Sequence, residues 1–195
     1  MSSIQIRDRR IGEFVEAELV SDLSTDELTR TEHTYRELRE RRAADAIAEG
    51  APPPQHSEWD WTLKASGDDG GSYRYFGIRR EGLIQGLIML NAAPQQSRSP
   101  GHEDDQILYV EFIETAPWNQ NTYARTSPRY GGIGIALLRA AIQTSREAGC
   151  GGRIGLHSLP QSEGFYRPNF QDLGVDPAED LRYFEMSEEQ ALRLL

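Results

Sequence analysis

The run Arg129-Tyr130-Gly131-Gly132-Ile133-Gly134, continuing into Ile135-Ala136-Leu137-Leu138-Arg139-Ala140-Ala141-Ile142, decides how the rest of the chain is read. Glycines 131, 132 and 134 open a segment whose apolar positions, Ile135, Leu138 and Ile142, recur at helical spacing. Glycine lets a backbone turn sharply and approach a ligand closely. The positive end of the following helix then faces the turn, which favours an anion such as a phosphate. Two familiar phosphate loops do not fit. A dinucleotide fingerprint needs Gly or Ala three residues after the second glycine of a G-x-G pair, and Leu137 stands there. A P-loop needs Gly-Lys-Ser/Thr, a triplet this sequence lacks.

Composition sets the outer bounds. A chain of 195 residues with 37% hydrophobic content suits one compact domain spanning 1–195. No apolar run approaches the length of a membrane span, and the first residues lack the apolar core of a signal peptide. The single cysteine, Cys150, allows no internal disulfide and fits a reducing, cytoplasmic setting. A net charge of −10 argues against broad nucleic-acid binding; it is compatible with a basic or amine-bearing substrate, but a merely solubilising charge is the simpler explanation.

Outward from the glycine run, the pattern alternates strands and helices. Ile4/Ile6 and Phe14/Val15/Ala17/Leu19 predict at least one strand before residue 22. Ser24-Thr25-Asp26-Glu27 reads as a capping box for a helix ending near Gly50, and Ala51-Pro52-Pro53-Pro54 breaks it. The charged run Arg36–Arg42 reads as a solvated helix face. A helical turn is expected at His56–Trp61, with Trp59 and Trp61 packing on a sheet or lining a pocket, and a loop at Asp68–Ser72. Tyr73–Asn91 reads as a hairpin, residues 92–106 as an exposed loop, and Ile107–Thr115 as a strand. A polar loop, Gln120–Pro128, precedes the glycine run, and its helix should stop near Gly149. A strand at Arg153–Ser158, a short helix at Gln161–Tyr166, a strand at Leu181–Met186 and a capped terminal helix complete the order. That order is mixed α/β, or α+β, around a central sheet, and it is not a doubly wound dinucleotide fold.

The hexapeptide resembles the R/Q-x-x-G-x-G/A signature of the GCN5-related N-acetyltransferases, with Arg129, Gly132 and Gly134 on the signature positions. A second stretch, Leu156–Tyr166 followed by Phe170 and Leu173-Gly174, is similar to the family's strand, short helix and aromatic ending. The resemblance covers about residues 73–186 and implies a mostly antiparallel, twisted central sheet flanked by helices. It also implies that 1–72 serves the acceptor side, 73–186 is the cofactor-binding core and 187–195 a terminal helix. Its cofactor would be acetyl-CoA, the pyrophosphate held by Arg129, Tyr130, Gly131, Gly132, Ile133, Gly134 and Ile135, and the pantetheine arm by backbone groups of Thr115 and Ala116. The sequence departs from the family in an extra loop, Trp118–Pro128, and in lacking the asparagine often found before the short helix.

The expected activity is acetyl transfer to a primary amine of a small molecule or peptide. Such a reaction needs a base beside the amine and an acid beside the sulfur. Glu111, in an otherwise apolar strand, is the first choice for base and Glu114 the reserve; the two face opposite sides unless a bulge intervenes. Tyr166 matches the family's tyrosine near the thiolate, the expected acid. His157 is read as a base, a substrate contact or a structural histidine. No metal-ligand spacing is present, and neither a membrane nor a nucleic acid is an expected partner. Two other readings stay open: an acyl-CoA-binding module without turnover, and an acetyltransferase acting on charged tRNA. Homodimerisation is open as well.

Overall fold

Short-range alternation builds the first strands. Ile6 and Ala17 turn inward on two strands, β1 (Ser2–Asp8) and β2 (Glu13–Ser21), which pair antiparallel from Ser2↔Leu19 to Asp8↔Glu13. The computed structural model describes residues 2–67, 71–120 and 127–195. The expected loop residues Asp68, Asp69 and Gly70, and 121–126 of the polar loop, lie outside the described residues.

The helix α1 (Thr25–Ala48) opens on the expected capping box: the Glu27 N–H donates to Ser24 Oγ and the Ser24 N–H donates to the Glu27 carboxylate. Its buried stripe is Leu28, Thr31, Glu32, Tyr35 and Arg39, a helical period that carries two charged residues inward. The next helix, α2 (Trp61–Ser66), starts later than the expected turn at His56, because Asp60 caps it by accepting from the N–H groups of Thr62 and Leu63. The hairpin is β3 (Tyr73–Arg80) and β4 (Leu83–Asn91); a two-residue β5 (Gln95–Gln96) and the long β6 (Gln106–Thr115) follow. Inside the glycine run Tyr130–Gly131 forms a short strand, β7, before α3 (Ile133–Glu147). The remainder is β8 (Ile154–Ser158), α4 (Glu163–Tyr166), β9 (Gln171–Asp176), β10 (Leu181–Met186) and α5 (Glu188–Leu194).

This is a mixed α/β fold with a mostly antiparallel sheet and flanking helices. Two compact units divide it, the division falling within β3, β4, β6 and α3. The first (residues 1–71, 75–87 and 114–137) holds the strand order β7-β1-β2-β3-β4. Its core includes Ile6, Leu28, Tyr35, Trp61, Ile78, Leu87 and Ile133. Burying Trp61 or Tyr35 stabilises the unit by roughly 2–3 kcal/mol each. The second unit (residues 72–74, 88–113 and 138–195) holds the order β4-β6-β8-β10-β9, with β5 on β6. Here β6 and β8 run parallel, and β10 is antiparallel to both β8 and β9, with a register shift between Arg182 and Phe184 that leaves an extra residue on β9 at Leu173–Gly174.

The loop 92–106 departs from its expectation. Ser97 and Ser99 are buried, and the Ser97 hydroxyl and Arg98 N–H both donate to the Glu185 carboxylate on β10, at 2.6 and 2.5 Å. A buried carboxylate must be hydrogen-bonded, and Glu185 recruits the loop for that purpose. Among the described residues, no helix is long and apolar enough to cross a membrane.

Candidate functional site

In the first unit the glycine run is fixed from both sides. Tyr130 and Gly131 pair with Asp8 and Arg7 of β1, and the Tyr130 N–H donates to Asn119 Oδ1 at 3.0 Å. Gly132 then takes φ 84°, is exposed, and has nothing within 4 Å of where a Cβ would stand. The first helical hydrogen bond of α3 runs from the Ala136 N–H to the Gly132 carbonyl. The N–H groups of Ile133, Gly134 and Ile135 therefore lack an intrahelical acceptor. Ile133 points into the core, while Gly134 and Ile135 are half-buried. Arg129 bonds Glu81 at 2.5 Å and lies over the Tyr130 ring.

Close packing holds this helix start in place. A Cβ on Gly86 of β4 would stand 2.5 Å from Ile133 Cγ2, 3.1 Å from the Glu114 carbonyl and 3.2 Å from Leu137 Cδ1. Only glycine fits there, a constraint that the hairpin pattern does not reveal. Two expected contacts are otherwise engaged. The Ala116 N–H donates to the Gln85 carbonyl at 2.9 Å, and the Thr115 carbonyl accepts from Gln120 Nε2 at 2.7 Å. These backbone groups serve the fold, because Gln85 and Gln120 satisfy them locally.

Glu114, also in this unit, is 4% exposed. One carboxylate oxygen accepts from the Trp61 indole at 2.6 Å and lies 3.9 Å from Arg39; the other, Oε1, has no hydrogen-bond partner. Arg39 is itself paired with buried Glu32, which also accepts the Trp61 N–H. Burial pushes the Glu114 carboxyl up to about 7, against the pull of Arg39 and the Trp61 hydrogen bond. Burial likewise draws nearby Lys64 down to about 8. Trp61 is fully buried against this cluster, so packing, the first of its two expected roles, describes it.

In the second unit Glu111 is half-buried and accepts from Asn91 Nδ2 at 3.2 Å; burial raises its carboxyl above the usual range. Tyr109 stands two residues earlier, on the same face of the strand by alternation. Its hydroxyl lies 2.6 Å from His157 Nδ1, and His157 Nε2 lies 3.1 Å from Asp176 Oδ2. The registered β6–β8 pairs stop at Tyr109↔Gly155. Tyr166, on α4, is buried beside Phe170 and Phe184, and burial lifts its hydroxyl well above the usual phenol value. No hydrogen bond joins Tyr166 to Glu111. Cys150 is buried, and burial raises its thiol, the opposite of an activated nucleophile. Among the described residues, no group of three or more His, Cys, Asp or Glu is placed to hold a metal ion.

No family model and no curated protein matches the sequence. Solved structures do match. A PaiA N-acetyltransferase from Thermoplasma acidophilum, in complex with coenzyme A, is 16% identical, with TM-score 0.52 over 89% of this chain and 99% of that one. An acetyltransferase of the GNAT family from Listeria monocytogenes is 14% identical, with TM-score 0.50 over 93% and 98%. A KacTA–DNA complex is 13% identical, with TM-score 0.52 over 91% and 97%. At these identities the likeness is one of fold, and the fold is that of the GCN5-related N-acetyltransferases.

Proposed function

We propose that this chain, having the acetyltransferase fold, is a coenzyme-A-dependent N-acetyltransferase acting on a primary amine of a small molecule or peptide. The observation that carries the reading is the exposed, left-handed Gly132 at the start of α3, with free N–H groups behind it and open space above it. Such a turn fits a pyrophosphate. The N–H groups of Ile133, Gly134 and Ile135 would hold its oxygens. Arg129 would exchange an exposed pairing with Glu81, worth little in water, for a phosphate.

Bound acetyl-CoA would supply an activated acyl thioester. Glu111, its carboxyl raised by burial yet still half-accessible, takes a proton from the acceptor nitrogen. Glu114 is the weaker choice for that role, because burial and the Trp61 hydrogen bond close it off. Tyr166 stays a neutral phenol through the ordinary pH range and so keeps a proton to give to the departing sulfur. The test is thiol release across an amine panel with wild type, Glu111→Gln and Tyr166→Phe. Losses of about 100-fold or more in kcat are expected for each. Unchanged rates in both variants would remove these two assignments, and no release with any amine would remove the reaction.

A second reading has one observation in its favour, the fold likeness to the KacTA–DNA complex. An acetyltransferase working on a nucleic-acid-linked amine would bind RNA or DNA with affinity falling steeply as salt rises. The net charge of −10 weighs against it.

A further inference from the structure

Three side chains of the second unit form a directed hydrogen-bond chain that the reading above does not use. Asp176, the last residue of β9, accepts from the Ala178 N–H at 2.9 Å and from Arg98 at 2.5 Å. Those bonds, with that from His157, hold its carboxyl down at about 2, so it can only accept. His157 Nε2, 3.1 Å away, must then carry the hydrogen. A neutral imidazole has one N–H, which leaves Nδ1 as an acceptor. The Tyr109 hydroxyl, 2.6 Å from Nδ1, therefore donates to it. The direction of the whole chain follows from the carboxylate at its far end.

His157 is flanked by Asp176, by Glu111 through space, and by the Tyr183 ring at 4.7 Å. Glu179 lies close enough to act on Tyr109 and Glu111. Arg98 is the nearby cation, but it is bound to Asp176 and lies over the Tyr183 ring, whose hydroxyl donates to Glu185. Tyr109 is half-exposed and its phenol does not ionise readily, burial pushing it up to about 12. It can pass a proton on only as fast as it receives one.

We infer that Tyr109 is a second proton acceptor for the acceptor amine, with His157 and Asp176 as the residues that position and drain it. This rests on the acetyltransferase reading. An alkylammonium acceptor loses two protons in all: one before its nitrogen can attack, and one as the C–N bond forms. Glu111 takes one. For the other, the amine N–H breaks and Tyr109 Oη gains that hydrogen, while the Tyr109 O–H breaks and His157 Nδ1 gains its hydrogen. The imidazolium that results is held by Asp176 and later returns its proton to water. Tyr109 and Glu111, two residues apart on one strand face, are spaced for one amine to meet both.

The experiment combines steady-state acetyl transfer with ¹⁵N NMR of the histidine ring on wild type, Tyr109→Phe and His157→Gln. The NMR should show His157 protonated at Nε2, with Nδ1 accepting, and Tyr109→Phe should remove the Nδ1 hydrogen-bond signature. Tyr109→Phe and His157→Gln should each lower kcat by about 100-fold. Both should leave KM for acetyl-CoA and the melting shift given by coenzyme A unchanged. A full-rate Tyr109→Phe enzyme with the wild-type pH profile, or a His157 protonated at Nδ1, overturns the relay alone. A wild-type chain that neither shifts its melting with coenzyme A nor transfers acetyl overturns the underlying reading and the relay together.

Discussion

Replacing Glu114 with Gln tests the physics of the buried cluster in the first unit. The wild-type carboxyl is ordinary in the unfolded chain, at about 4.5, and stays neutral in the folded chain to about 7, chiefly through burial. Its folded-state value is raised, so the stability it contributes is whole below about pH 4.5 and is lost as pH climbs through about 7. Between about pH 5.5 and about pH 8.5 that loss comes to roughly 2 kcal/mol. Gln has the same shape, can still accept from the Trp61 indole, and does not titrate. Other groups titrate in both proteins, so the difference between the two melting curves isolates position 114. Glu114→Gln should gain on wild type by about 2 kcal/mol over that range, or roughly 4–8 °C in melting temperature for a chain this size. The assay is thermal melting at several pH values. A gap that stays constant, or that moves in favour of wild type at high pH, would mean Glu114 is charged and stabilised by Arg39, refuting the reasoning.

Gly86→Ala should cost about 1–3 kcal/mol in denaturant melting, since its Cβ would meet Ile133 Cγ2 at 2.5 Å, and it should weaken coenzyme A binding by shifting the start of α3. Trp61→Phe removes the indole donor and leaves both Glu114 oxygens without a hydrogen bond, so a loss of about 1–3 kcal/mol should be greater at about pH 8.5 than at about pH 5.5. For Glu111→Gln, kcat should fall with little change in KM for acetyl-CoA, and the rise of kcat on the acid side of the pH profile should disappear. A retained acid limb would reassign the base.

What the sequence made legible was local. The capping box at Ser24, the hairpin at Tyr73–Asn91, the strand to Thr115 and the helix after Gly132 each depend on neighbours a few residues apart. The mixed α/β class follows from their order and the mostly antiparallel sheet from the family resemblance, and the structure has both. The short strands β5 and β7 were not legible. Two residues carry no period, and Tyr130–Gly131 is a strand only because Arg7 and Asp8 come alongside. Strand β9 escaped because Asp172 and Gly174 make it look like a loop, while β10 supplies its pairing.

The same limit governs the candidate site. Glu111 and Glu114 look alike in the sequence, three residues apart on one strand. What separates them is Trp61, Arg39 and Glu32, brought to Glu114 from α1 and α2. His157 could not be given a role because its partners, Tyr109 and Asp176, sit on strands far from it in sequence. One signal was available: Tyr109 and Glu111 alternate onto one face. The need for Gly86 is invisible without α3 packed on it.

The most direct test of the central claim is thermal melting of wild type and Gly134→Glu with and without coenzyme A. The substitution sets a negative charge where the phosphates would lie, at a half-buried position in the first turn of α3. At about 100 times its Kd, a ligand bound only to the folded chain adds about 2.7 kcal/mol. That corresponds to a rise of roughly 5–10 °C in the wild type. The account predicts that rise, and its loss in a Gly134→Glu chain that still melts cooperatively. No rise in wild type at saturating coenzyme A, or an equal rise in both proteins, would contradict it.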